Sequence, residues 1–205
     1  MDNITPWFIS HYDEVLGIIF SFIYLYFSIK QNIWLWPLGI ISSAIYIYIF
    51  FNAGIYADMG LQVYYVLISI YGWYHWSFGN TKNSTVQKLK VQFTEKRMVI
   101  VLIIITLVLF ILISQILINF TDSKIPYWDA FTTATSITAT WMLAKKYIEH
   151  WLIWIVVDFA SVGIYFYREL YLTIFLYMVY GTMAIIGYMQ WKKDIVQVLN
   201  NGRKS

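Results

Sequence analysis

The sequence predicts an all-α integral membrane protein of seven transmembrane helices, built as two parallel three-helix repeats joined by one linker helix. Three observations predict it. The first is composition: of 205 residues, 60% are hydrophobic and only 12% are charged, about half the charged fraction of an ordinary soluble domain. So few charges cannot cover a water-exposed surface, which leaves lipid as the neighbour of most side chains. The second is a series of seven apolar runs of spanning length. The third is a self-similarity at constant offset, developed below.

Taken in order, the predicted spans cover residues 12–29, 33–51, 59–78, 97–119, 127–144, 151–167 and 171–191. Each falls in or near the roughly 17–25 apolar residues that a bilayer-crossing helix needs. Lys30-Gln31-Asn32, Asn52-Ala53-Gly54, Lys145-Lys146 and Arg168-Glu169 are the polar breaks between neighbours. Pro37 stands in the first turns of the second span and Pro126 just before the fifth, where proline costs little. One longer hydrophilic stretch, residues 79–96, separates the third and fourth spans and reads as an exposed loop or linker. The whole chain, residues 1–205, is thus one polytopic membrane domain. Aromatic residues reach 20%, suiting both the headgroup boundary and a pocket for a flat ligand.

Lys and Arg set the orientation. The N-terminus and the loops after spans two, four and six hold only Lys124 and Arg168, whereas the opposite side holds the other twelve. The positive-inside rule places the N-terminus outside and the C-terminus in the cytoplasm. The net charge of +3 is this orientation signal and not a nucleic-acid patch. Met1-Asp2-Asn3 opens the chain without a basic n-region, so no removable signal peptide is expected. There is no cysteine, hence no disulfide or thiolate metal site.

A shift of 115 positions aligns residues 11–76 with 126–191 without a gap. Matched Ile and Leu mean little in membrane sequences. Trp36/Trp151, Gly72/Gly187, Trp76/Trp191, Tyr56/Tyr171 and Tyr65/Tyr180 are harder to dismiss. The repeats, residues 11–78 and 126–191, flank a linker span at 97–119. Four crossings separate the first span from the fifth, so both triplets run in the same direction. Parallel triplets joined by one helix are a transporter plan of the SWEET type, in which two bundles rock about a central site. Duplication without a mechanical role is the alternative. A seven-helix receptor is a third reading, and the repeat argues against it.

Candidate substrate residues follow from the cost of polarity in lipid. Asp158 is the one carboxylate well inside a span, and an ionisable group there costs about 2.5–3.5 kcal/mol unless it faces a cavity. Trp151 and Trp154 precede it at helical spacing on the same face, which Ser161 and Tyr165 extend. A carboxylate above two indoles suits a planar aromatic cation. The competing roles are an interhelical hydrogen bond for Asp158 and headgroup anchoring for Trp151. Gln62, Tyr65, Ser69, Gly72 and Trp76 form a second polar face on span three, mirrored on span seven by Tyr177, Tyr180, Ala184, Gly187 and Trp191. Gln62 can donate and accept toward ribose hydroxyls, or bond a neighbouring helix. The glycines suit close packing, His75 an interfacial place, and Asp58 and Asp129 helix capping. His11, His75 and His150 have no metal-binding spacing, and no HExxH, GxSxG or phosphate loop occurs. The chain is therefore read as no enzyme, requiring no cofactor and hydrolysing no ATP.

Several segments then resemble a known family, the PnuC vitamin transporters. They are Ile55-Tyr56-Ala57-Asp58, Leu61-Gln62-Val63-Tyr64-Tyr65 and Ile70-Tyr71-Gly72-Trp73-Tyr74-His75-Trp76 on the third span, and Pro126-Tyr127-Trp128-Asp129 at the fifth. Lys146-Tyr147-Ile148-Glu149-His150-Trp151-Leu152-Ile153-Trp154 resembles the family's KYxENWLxW segment. The resemblance spans residues 12–192. It implies a bacterial inner-membrane carrier of nicotinamide riboside, often a homotrimer, working by facilitated diffusion with cytosolic phosphorylation behind it. It also implies that Gln62, Trp151 and Trp154 lie near the substrate, with Tyr65, Asp158 and Tyr177 completing the candidate set. His150 stands where many members have Asn, and Asp158 where some do. A carboxylate at 158 fits thiamine as well, another vitamin carried within the family.

Overall fold

The computed structural model describes residues 12–53, 56–79, 89–167 and 171–202. These form seven α-helices: α1 (Tyr12–Ile29), α2 (Leu35–Ala53), α3 (Tyr56–Phe78), α4 (Lys96–Phe120), α5 (Pro126–Ala144), α6 (His150–Tyr167) and α7 (Tyr171–Gly202). Each predicted span has its helix. Pro126 is the first residue of α5 rather than its predecessor, a position where its missing N–H is no loss. Helix α7 runs eleven residues past the predicted end at Trp191, to Gly202. That extension is charged and so invisible to a hydropathy reading. Ile195 is buried along it, and the Gln190 Nε2 donates to Asp194 Oδ1 at 3.4 Å, one turn on.

Among the described residues, the stretches Leu35–Asn52, Lys96–Phe120 and Thr173–Gln197 are long and apolar enough to cross a membrane by length and composition alone. Helix α4 shows the consequence most clearly. Ile100, Ile103, Ile104, Leu107, Ile111 and Leu112 are all exposed, which in water would be an untenable apolar surface and in lipid is the expected one. Helix α5 is the opposite case, lined with threonines. Thr135, Thr138 and Thr140 each donate to the carbonyl four residues back, which satisfies these hydroxyls in an apolar setting.

The helices fall into two compact units, α1–α3 and α4–α7. In the first, α1 packs on α2, and α2 meets α3 where Trp36 lies against Gly72. In the second, α5 packs between α4 and α6, and α6 pairs with α7. A shared hydroxyl contact, Thr106 Oγ1 to Thr138 Oγ1 at 2.7 Å, ties α4 to α5.

Within each unit, residues 115 positions apart occupy matching places. Helix α1 ends with Asn32 N–H donating to Phe27 O (2.8 Å) and Gln31 N–H to Ser28 O (3.0 Å). Helix α5 ends with Tyr147 N–H donating to Met142 O (3.0 Å) and Lys146 N–H to Leu143 O (2.9 Å). Both are Schellman caps, and both place a non-glycine residue in the left-handed region, Gln31 at φ 50 and Lys146 at φ 54. The same backbone strain, normally relieved by glycine, is thus carried in both turns.

Candidate substrate site

The second unit holds four of the six candidate residues, and they divide into two groups. Trp151, at the start of α6, is 1% exposed. Its ring meets Trp191 edge-on (5.8 Å, 88°) and His150 (4.5 Å), and a Cβ built on Gly187 would come within 2.6 Å of it. Trp36 repeats this in the first unit: 0% exposed, edge-on to Trp76 (5.3 Å, 89°), with a Cβ on Gly72 falling 2.5 Å from its ring. Gly72 and Gly187 are close-packing points because only a missing side chain lets helix backbone approach an indole this closely. Trp151 is therefore a packing knot and not a headgroup anchor. Its Nε1, the Trp36 Nε1 and the His150 Nε2 are buried without a hydrogen-bond partner. The His150 Nδ1 does have one, the Tyr147 carbonyl at 2.7 Å.

The second group lies further along α6. Asp158 is buried at 5% exposure, with Ser161 buried one turn on and Trp154 half-buried one turn before. Tyr177 of α7 lies within electrostatic reach of Asp158, hydrogen-bonds Tyr165, and stacks on that ring at 5.2 Å and 25°. Tyr180 closes on Tyr177 edge-on at 5.9 Å. A buried carboxylate thus sits beside a tyrosine cluster where α6 and α7 face each other. Tyr165 and Tyr180 belong to it and were seen in the sequence only as extensions of the two polar faces.

In the first unit, Gln62 and Tyr65 are half-buried on α3. Tyr65 touches Tyr64 at 5.6 Å and lies within electrostatic reach of Tyr24 on α1. Ser69 is buried, with its Oγ 2.9 Å from where a Cβ on Gly39 would lie. Tyr24 went unremarked in the sequence because nothing in a mostly apolar helix distinguishes one tyrosine from the next. His75 stacks on Tyr71 at 5.5 Å and 10°.

Two expectations need amending. Asp129 does not cap α5; Ile125 holds the cap position, and the Asp129 carboxylate instead accepts from the Ser123 hydroxyl at 2.5 Å, pinning the α4–α5 turn. The side chain of Asp58 lies outside the described residues. The stretch before α4 is also no free loop where it is described. Gln92 N–H donates to Lys146 O (3.1 Å), Ile148 N–H donates to Gln92 O (3.1 Å), and the Gln92 side chain reaches Lys145 O (3.2 Å). No group of three or more metal-ligating side chains occurs among the described residues.

Comparison with known proteins gives these features a context. The family model described as "Nicotinamide mononucleotide transporter" matches residues 11–193. The nicotinamide riboside transporter PnuC of Escherichia coli is 26% identical over 200 residues, covering 87% of this chain and 84% of the relative. The riboflavin/roseoflavin transporter RibM of Streptomyces davaonensis is 25% identical over 183 residues, covering 88% and 84%. A crystal structure of the vitamin B3 transporter PnuC superposes with a TM-score of 0.69 at 20% identity, covering 94% of this chain and 87% of that one.

Proposed function

This chain belongs to the nicotinamide mononucleotide transporter family, and we propose that it carries nicotinamide riboside across the bacterial inner membrane by facilitated diffusion. The observation that carries the choice of substrate is the buried Asp158 beside the Tyr165–Tyr177–Tyr180 cluster, with Trp154 one turn away. A carboxylate withdrawn from water is costly unless something positive answers it. The pyridinium ring of nicotinamide riboside is a flat cation, able to pair with the carboxylate and stack on aromatic rings. Gln62 and Tyr65 of the first unit supply donors and acceptors suited to the ribose. The N-terminus faces outside and the C-terminus the cytoplasm, where phosphorylation of the vitamin feeds NAD synthesis and adds charge that keeps it inside. Assembly as a homotrimer belongs to the same reading.

Riboflavin is the second substrate to weigh, because RibM resembles this chain about as closely as the riboside carrier does. Its isoalloxazine ring is neutral and leaves Asp158 unanswered. Thiamine, with a cationic thiazolium, would satisfy the carboxylate as well as the riboside does. Purified protein in liposomes, offered each labelled vitamin in turn, tests the choice. The riboside is expected to enter and to be displaced weakly by riboflavin. Asp158→Asn removes the charge while keeping shape, and is expected to weaken riboside binding about tenfold, the lower end for one charge-assisted contact. Riboflavin uptake with no riboside uptake, or unchanged riboside affinity in Asp158→Asn, defeats the assignment.

A further inference from the structure

The segment leading into α4 is fastened to the turn between α5 and α6 by more than the Gln92 backbone pair. Glu149, one residue before α6, turns its carboxylate onto Thr94. The Thr94 N–H donates to both oxygens, at 3.1 Å each, and the Thr94 hydroxyl donates to Oε2 at 2.6 Å. Charge-assisted bonds of this kind are about twice as strong as neutral ones. The carboxylate also stands where α4 has most use for it. Glu95, the N-cap of α4, makes no side-chain cap bond, and the N–H just ahead of it, that of Thr94, is taken by Glu149, whose carboxylate adds negative charge near that helix start.

The repeat makes the contact more pointed. The α1–α2 turn has the same hydrogen bonds and the same left-handed residue as the α5–α6 turn, yet the residue matching Glu149 is Trp34, 62% exposed. Of the two turns, the one that precedes Trp151, Trp154 and Asp158 carries the carboxylate; in the other the Trp34 N–H donates to the Asn32 Oδ1 at 3.0 Å. Helix geometry does not require it, since the Schellman cap closes both turns without it.

We propose that Glu149 is a positioning residue for transport: through Thr94 it fastens the start of α6 to the head of α4, so that the face bearing Trp154 and Asp158 keeps one register throughout the cycle. The proposal rests on the substrate reading given above for that face. Loosening the clamp lets α6 leave its binding-competent register for part of the time, and apparent affinity falls by the fraction lost.

The test uses full-length protein in liposomes with labelled nicotinamide riboside as probe. Glu149→Ala is expected to raise KM about tenfold with maximal flux nearly kept, the signature of a lost binding-competent population and not of a lost catalytic step. Glu149→Gln keeps one acceptor oxygen and falls between. Thr94→Ser retains every donor and behaves as wild type, whereas Thr94→Val, lacking the hydroxyl, resembles Glu149→Gln. A merely structural role would lower stability and flux together without this split. Because the chain has no cysteine, Gln92→Cys with Tyr147→Cys gives a clean cross-link at the bridge between these two residues. A clamp that stays closed predicts equal riboside flux before and after oxidation. Flux that stops on oxidation and returns with reductant overturns the proposal, making the strap a gate that must open. Wild-type KM in Glu149→Ala overturns it also. A wild-type protein that neither binds nor moves the riboside overturns the substrate reading and the clamp with it, whereas riboside transport unaffected by Glu149→Ala overturns the clamp alone.

Discussion

Replacing Gly187 by alanine adds one methyl group to α7, and ordinarily that substitution helps a helix. Alanine is favoured over glycine by about 1 kcal/mol in a helix interior. Here the added carbon would stand 2.6 to 2.7 Å from three atoms of the Trp151 ring, closer than packed atoms tolerate. The ring has little room to retreat, being 1% exposed and held edge-on by Trp191 and against His150. Overpacking of a rigid core costs about 1–3 kcal/mol, so the net change is a loss of up to about 2 kcal/mol. For a chain of this length the full loss lowers Tm by about 4–8 °C. Gly163 provides the internal contrast, because a Cβ there meets nothing within 4 Å. Gly163→Ala should raise Tm by about 1–4 °C, the same substitution with the opposite sign. Thermal unfolding in detergent, followed by tryptophan emission, reads both. Adding Trp151→Phe to Gly187→Ala shrinks the ring and should recover part of the loss, showing as non-additivity in a double-mutant cycle. Gly187→Ala at or above the wild-type Tm would refute the packing argument, and with it the parallel one for Gly72 and Trp36.

Three further outcomes follow from the placement of residues. A reporter fused after Ser205 should be cytoplasmic and the junction of α2 and α3 outside, given the division of Lys and Arg; labelling of Lys90→Cys only from outside would reverse the topology. Flux in liposomes should equilibrate the vitamin without sodium or proton gradients, and accumulation above equilibrium that an ionophore collapses would show a coupled ion. Trp154→Ala should weaken riboside binding more than it lowers Tm, whereas Trp151→Ala, removing a fully buried ring, should cost about 3–5 kcal/mol of stability; the reverse ranking would exchange their roles.

What the sequence made legible, and what it hid, divides along the repeat. Spans could be read because a bilayer imposes length and apolarity on every crossing helix, and the constant offset of Trp36/Trp151, Gly72/Gly187 and Trp76/Trp191 stood out because indoles and glycines are seldom interchangeable. Those same identities were harder to interpret. Trp151 looked like a ligand-facing or interfacial ring, and its burial against Gly187 depends on a helix thirty-six residues away, which no local spacing reveals. Glu149 was hidden for a similar reason, since its partner Thr94 lies in a polar stretch that composition alone renders as loop. The polar positions behave differently from the packing ones. Asp158 answers to Ser43, Trp154 to Gly39, Tyr177 to Gln62 and Ala184 to Ser69 across the same offset. Identity is kept at the indole–glycine knots, whereas the buried carboxylate Asp158 and its neighbour Trp154 have no counterpart of their kind in the first repeat. A frame can be symmetric, but the proposed cargo, nicotinamide riboside, is not: one end is a flat cation and the other a polyol. For such a cargo, a carboxylate among aromatic rings in the second repeat alone is the asymmetry to expect. That asymmetry bears on Asp158 more directly than on Trp151, whose repeat partner Trp36 is identical and buried in the same way.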